Sequence, residues 1–197
     1  MQRALRFVPL RATLLALLLN APRLMAQSSP SVAAGHHGFH MALGQSVSSN
    51  GITCEGGCTN LGPKFDRGAL LQFGAAIRPN LVLSGEANGA RHYGWYSAVL
   101  QYYPQVSKGF FMKGGVGLAY LEAETASRQA ISSFNVGAVA GLGYDLHVKR
   151  GFWVTPYVDA MYAPKADAAL TGSGVLNRVY RLGGDLINAG LAVSYHR

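Results

Sequence analysis

From Phe39 onward the chain shows almost no helical periodicity; apolar residues recur at every second position through eight successive segments. Alternation of this kind marks a strand with two unlike faces. In water such a strand turns its greasy face to a core and shows charged residues outside. Here the second face is mostly Gly, Ala, Ser and Asn, and only 13% of all residues are charged, about half the share usual in soluble domains. Two different solvents are served, hydrocarbon on one side and a narrow interior of small residues on the other. A closed barrel, which satisfies every backbone group in lipid, meets that demand.

In the first segment Phe39, Met41, Leu43 and Val47 oppose His40, Ala42, Gly44 and Ser46. Over Arg67 to Ile77, Leu71, Phe73 and Ile77 oppose Gly68, Gln72 and Gly74, and Arg78-Pro79-Asn80 then forms a tight turn. Leu81 to Gly89 sets Leu81 and Leu83 against Ser84, Glu86 and Asn88; Gly94 to Tyr103 sets Tyr96, Leu100 and Tyr102 against Trp95, Ser97 and Gln101. Phe110 to Leu121 alternates Phe110, Met112, Val116 and Leu118 with Phe111, Lys113, Gly115 and Gly117. The sixth segment opposes Phe134, Val136, Leu142 and Tyr144 to Asn135, Gly137, Gly141 and Asp145. In Phe152 to Tyr162, Phe152, Val154, Val158 and Tyr162 oppose Trp153, Thr155, Tyr157, Asp159 and Met161. Pro156 interrupts that ladder, because proline has no N–H to donate. In the last, Leu186 to Tyr195, Ile187, Leu191, Val193 and Tyr195 oppose Asn188, Gly190, Ala192 and Ser194.

Segments of about ten residues match the length that a tilted strand needs to cross a bilayer. Aromatics such as Phe39, Tyr102, Phe110, Tyr120, Phe134, Phe152 and Tyr195 stand near the ends of the greasy faces, as in interfacial girdles. Connections alternate in length. Those after the second, fourth and sixth segments are short, whereas those around Cys54, over Glu122 to Ser132 and over Ala163 to Gly184 are long. The fold class predicted is all-β, an eight-stranded antiparallel transmembrane up-and-down barrel with short turns in the periplasm and long loops outside. A soluble lipocalin-like barrel is the rival reading; its outer face would have to consist of Gly and Ala with few charges.

The first 26 residues read as a cleavable signal peptide: basic Arg3 and Arg6, an apolar run from Ala12 to Leu19 too short to span a membrane, and small Ala26 at the cut. Residues 27–38 read as a flexible periplasmic linker and residues 39–197 as the barrel. The net charge of +8 owes half its value to Arg3, Arg6, Arg11 and Arg23. The other basic residues form no run or stripe, which argues against a nucleic-acid partner. Export makes a disulfide the natural state of Cys54 and Cys58, with Gly56 and Gly57 easing closure of the short ring. Two thiols do not make a zinc site.

On the alternation, the segments Gly143-Tyr144-Asp145 and Thr155-Pro156-Tyr157, and a last strand ending near Tyr195, the chain resembles bacterial small outer-membrane β-barrel proteins of the OmpA/OmpX-like or OmpW-like kind. The resemblance covers roughly Phe39 to Tyr195. Such barrels usually end on the aromatic itself, whereas here His196 and Arg197 follow Tyr195. The resemblance implies an outer-membrane location, lipid contacts, and delivery by periplasmic chaperones and the barrel-assembly machinery. An OmpW-like barrel would imply transport of small hydrophobic compounds.

Glu86, Lys113, Asp145 and Asp159 fall on inward faces and are the candidate lumen network, either a proton path or a salt-bridged plug. A plug is the expectation, because an eight-stranded barrel is just wide enough for side chains to fill. Some outer-membrane lipid A deacylases carry Arg-His-x-Ser; the corresponding stretch here is Arg91-His92-Tyr93-Gly94, which lacks the nucleophile and leaves Ser97 as a distant substitute. No catalytic set is assigned, and no cofactor or metal is expected. His36, His37 and His40 read as solvated residues of the linker and strand start. The function expected is a monomeric structural or surface-interaction barrel with its lumen closed or passing only small solutes. A membrane-embedded lipid-modifying enzyme or a transporter of small hydrophobic compounds is the alternative.

Overall fold

The computed structural model describes residues 38–149, 151–170 and 179–196. The expected signal peptide, the linker with His36 and His37, and part of the last long connection lie outside the described residues. The strands are β1 (Gly38–Glu55), β2 (Cys58–Asn60), β3 (Phe65–Arg78), β4 (Leu81–Gly89), β5 (Tyr93–Tyr102), β6 (Phe110–Thr125), β7 (Ala130–Tyr144), β8 (Leu146–Lys149), β9 (Phe152–Leu170) and β10 (Tyr180–His196). All pairings are antiparallel, and the eight long strands follow the order β1-β3-β4-β5-β6-β7-β9-β10, with β10 paired back to β1. That pairing closes the sheet and leaves no edge.

Each of the eight alternating segments is a barrel strand, and the faces are as the alternation assigns them. Leu43, Phe73, Leu83, Tyr96, Val116, Leu118, Val136, Leu142, Val158 and Leu191 point outward and are exposed, whereas Ser84, Glu86, Ser97, Lys113, Asn135, Asp159 and Asn188 are buried inside. A band of exposed aliphatic and aromatic side chains on a closed sheet is a surface for hydrocarbon. The lipocalin-like arrangement, greasy inside and wet outside, is the opposite of this.

One end of the barrel, called here the turn end, carries the start of β1, the end of β10 and the tight connections. Gly38 pairs with Ala76 and His40 with His196, and hydrogen bonds from the Tyr103 N–H to the Asn80 carbonyl and from the Asp145 N–H to the Gly109 carbonyl join the neighbouring links at this end. The link after β5 contains one 3-10 turn, Val106–Lys108, stopped by left-handed Gly109. Pro156 sits where the ladder on one side of β9 is broken: β7 pairs up to Gly143 with Tyr157, and pairing resumes through β8 at Leu146 with Val154. A missing N–H therefore falls near a gap that the sheet already has.

The other end, the loop end, departs from the sequence reading. The stretch Glu122 to Ser132 is not a long loop; β6 runs to Thr125, β7 starts at Ala130, and a tight turn joins them. There Arg128 adopts φ 58°, and its N–H donates to the Thr125 carbonyl at 2.9 Å. Likewise β1 continues to Glu55, and β9 and β10 pair from Tyr180 with Ala168 downward. The strands thus stand well above the apolar belt.

Candidate functional site

The lumen is a column with three zones along its axis. At the loop end the inward positions are apolar. Ile52, Trp95, Leu121, Ile131, Leu182 and Leu186 meet in the main buried cluster. Its polar edge is bonded: Asn135 Nδ2 donates to the Leu182 carbonyl at 2.7 Å, and the Tyr93 hydroxyl donates to Asn188 Oδ1 at 2.8 Å. Tyr93 also hydrogen-bonds Ser48.

This apolar plug is roofed by the first connection. After Glu55 the chain turns through Gly56 and Gly57, at φ 105° and 91°, conformations that side-chain-bearing residues rarely adopt. Cys54 and Cys58 are bridged there, as expected from the sequence. Strand β2 then pairs with β6, the strand diametrically opposite β1 in the eight-membered ring. Thr59 Oγ1 donates to the Thr125 carbonyl at 2.9 Å, and Asn60 Nδ2 to Glu124 at 3.3 Å. The chain returns to β1 through Asn50, whose Nδ2 donates to the Leu61 carbonyl at 2.6 Å. Cys54, Cys58 and Leu61 pack on the plug from above. The roof thus spans the mouth and is anchored on both walls.

At mid-height the column is charged. Lys113 Nζ lies 2.5 Å from Glu86 Oε2 and 2.9 Å from Asp159 Oδ2, and all three side chains are almost wholly buried. The register explains the meeting. Lys113 pairs with Gly141 and Gly141 with Asp159, so β7 presents a bare backbone between them. A Cβ at Gly141 would run into the Asp159 carboxylate and the Lys113 stem. Across β5, opposite Glu86, stands small Ser97. Lys113 also lies 5.5 Å from the centre of the Tyr157 ring, a cation–π distance. An ammonium between two carboxylates ties three walls together, β4, β6 and β9.

Asp145, the fourth candidate, stands apart. It follows β7 at the turn end, where its N–H donates to the Gly109 carbonyl. Its carboxylate accepts from the Tyr103 hydroxyl at 2.9 Å and from Thr155 Oγ1 at 2.6 Å, and Thr155 in turn meets Ser194 at 3.1 Å. Beside it Val82, Tyr103 and Phe111 form a small apolar cluster that narrows this end. His40 is no solvated linker residue: it is buried in β1, its Nε2 3.1 Å from Gln72 Oε1.

The Arg91-His92 stretch forms the turn between β4 and β5 at the loop end. His92 Nδ1 is 3.9 Å from Asp66 Oδ2, and the same carboxylate accepts from the Arg91 N–H at 3.1 Å. Ser97 lies further down β5, facing the lumen opposite Glu86 and Gly117. Position 94, where a nucleophile would stand, is Gly. Outside the wall at this level, exposed Leu43, Leu71 and Tyr96 and half-buried Tyr120, with Ala87 and Arg91, line a recess of about 560 Å³. The roof and the recess were not foreseen in the sequence. The crossing of the roof rests on pairing between Cys58 and Thr125, far apart in the chain, and the recess on small residues, Gly44, Ala69, Gly89 and Gly94, in neighbouring strands.

No family model matches this chain, and no curated protein matches it either. Among solved structures it is similar to the outer membrane protein OprG from Pseudomonas aeruginosa, at 18% identity and a TM-score of 0.50, over 83% of this chain and 99% of that one. It is also similar to Neisserial surface protein A, at 13% identity and a TM-score of 0.47, over 83% and 99%. Together with the closed ring and the apolar belt, the first likeness shows the fold: that of the small bacterial outer-membrane barrels.

Proposed function

We propose that this protein is an integral outer-membrane barrel with a sealed lumen, acting as a structural or surface-interaction element and not as a channel. The short turns then face the periplasm and the roofed end faces outward. One observation carries the reading: an apolar plug under a disulfide-closed roof, an ion triad at mid-height and the Val82–Tyr103–Phe111 cluster stand in series along one narrow column. An ion would have to pass a dry apolar layer and displace a buried ammonium held by two carboxylates. The working surface is therefore the outside, the roof and the loop tips above the membrane, in contact with lipid around the belt. As a monomeric barrel it would reach the membrane through periplasmic chaperones and the barrel-assembly machinery.

Planar-bilayer recording of the refolded protein tests this. No discrete conductance steps are expected; steady steps from the wild type would overturn the sealed reading. Heat-modifiable migration on a gel, expected of a folded barrel, tests membrane integration separately. A second reading, uptake of small hydrophobic compounds, is favoured by the apolar recess of about 560 Å³ in the wall. It predicts faster entry of such a compound into vesicles carrying the protein than into empty ones. A non-enzymatic role agrees with Gly94 in place of a nucleophile; lipid A mass analysis after expression, expected unchanged, tests it.

A further inference from the structure

The two rims of the barrel are charged in different ways. At the loop end cations and carboxylates occur together: Lys165 pairs with Glu55 at 2.5 Å and Arg181 with Asp167 at 3.3 Å, while Lys64, Arg67, Arg91 and Arg128 stand among Asp66, Glu122 and Glu124. At the turn end, each of the three tight connections carries an exposed cation, Arg78, Lys108 and Lys149. None of these cations has an ion-pair partner among the described residues. Among the described residues the carboxylate at that end is Asp145, buried and held by Tyr103 and Thr155. The three connections join β3 to β4, β5 to β6 and β7 to β9, so the cations recur at every second strand around the rim.

Each cation is coupled to an apolar side chain that points outward. Ile77 precedes Arg78, Val148 precedes Lys149, and Phe110 follows Lys108 by two residues; their exposures are 55%, 64% and 39%. An apolar residue next to a long basic one is the arrangement that seats the first in hydrocarbon and lifts the second to the headgroups. A surface built for a soluble acidic polymer would need the cations but not their apolar neighbours.

We propose that the Arg78–Lys108–Lys149 rim is a binding surface for anionic phospholipid headgroups of the periplasmic leaflet, a phosphate-bearing collar around the turn end. The proposal rests on the membrane reading above. Three unpaired cations at one depth favour phosphates that carry net charge over zwitterionic ones, and the apolar neighbours hold the acyl chains of the same lipids.

Native mass spectrometry of the folded full-length protein tests this, after exchange into equimolar phosphatidylglycerol and phosphatidylcholine of matched chains. The wild type is expected to retain phosphatidylglycerol preferentially. The variant Arg78→Gln/Lys108→Gln/Lys149→Gln should lose that preference by about fivefold or more, on the scale of one basic residue at an anionic surface. The control Lys165→Gln/Arg181→Gln at the loop end should keep it. Equal retention of both lipids by the wild type, an unchanged preference in the triple variant, or an equal loss in the control would each overturn the proposal. So would binding of polyglutamate by a wild type that does not distinguish the two lipids, an outcome that assigns the rim to an acidic polymer. Heat-modifiable migration is recorded for every variant, so that a failure of the barrel itself is told apart from a failure of the collar.

Discussion

The two halves of β6 follow opposite rules. From Phe110 to Tyr120 the exposed residues are apolar, Met112, Val116 and Leu118, and the inward ones are Lys113, Gly115 and Gly117. From Leu121 to Thr125 the pattern inverts: Leu121 and Ala123 are buried inside, and Glu122 and Glu124 face out. The strand keeps its pleat throughout. What changes is the solvent, hydrocarbon around the lower half and water around the upper, so the upper half is built like a water-soluble barrel with a largely apolar centre. The same inversion separates exposed Val47 from buried Ile52 on β1.

The strongest test strikes the interior of the lower half. Lys113→Met leaves Glu86 and Asp159 buried without their cation, and should cost about 3–5 kcal/mol, the scale for breaking a buried ion pair. Urea unfolding in lipid vesicles measures it. Adding Glu86→Gln and Asp159→Asn should recover most of that loss; a triple variant as unstable as the single one would contradict an electrostatic origin.

Leu121 and Leu118, three residues apart on one strand, sharpen the comparison next. Leu121→Ala should cost about 2–5 kcal/mol by opening a cavity in the plug. Leu118→Arg should cost about 1–2 kcal/mol because its face meets lipid near the edge of the belt, whereas Glu122→Arg should be nearly neutral because that face meets water. Equal costs for the two arginine variants, read from the same unfolding curves, would erase the boundary between the halves.

That boundary explains what the sequence disclosed and what it hid. All eight strands were legible where lipid enforces one phase of alternation, and so were the inward positions of Glu86, Lys113, Asp145 and Asp159. Beyond Leu121 and before Phe134 the apolar phase shifts by one position, and the upper ends of β6 and β7 read as a loop. The grouping of the lumen charges was also hidden, since period two gives the face of a residue but not its depth. Depth depends on strand stagger: the register brings Lys113, Gly141 and Asp159 into one row and sets Asp145 level with Gly109. Cys54 and Cys58 announced a bridge, but nothing near them announced the crossing to Thr125.

The roof separates the halves in a different way, because it closes only one of them. Cys54→Ser/Cys58→Ser releases a short ring and should weaken the roof by about 2 kcal/mol. The β1–β10 and β9–β10 seams, which hold the barrel, are backbone ladders; Cys54 pairs with Leu182 in the first through its backbone and not its sulfur. Protease cleavage within residues 55–64 should therefore speed up while heat-modifiable migration stays as in the wild type. Loss of both would mean that the roof supports the whole barrel.

The smallest expected effect concerns acid. Glu55 is exposed beside the bridge, and its carboxyl is held below the ordinary range, first by the hydrogen bond from Lys165 and then by the charges of Lys165 and Arg181. A carboxyl lowered in the folded state contributes its stabilisation above its unfolded value and loses it as pH falls through the folded one. The tie from β1 to Lys165 and Arg181 should thus be intact at neutral pH and loosen below the usual carboxylate range, and because it is exposed, salt should weaken it as well. Hydrogen exchange along residues 52–58 at neutral and at acidic pH measures this, with Glu55→Gln showing at neutral pH the protection that the wild type shows in acid. The turn end carries no such exposed pair among the described residues, so amides flanking Arg78 and Lys108 should change little over the same interval. An equal change at both rims would place the acid response in the barrel as a whole and not in the roof.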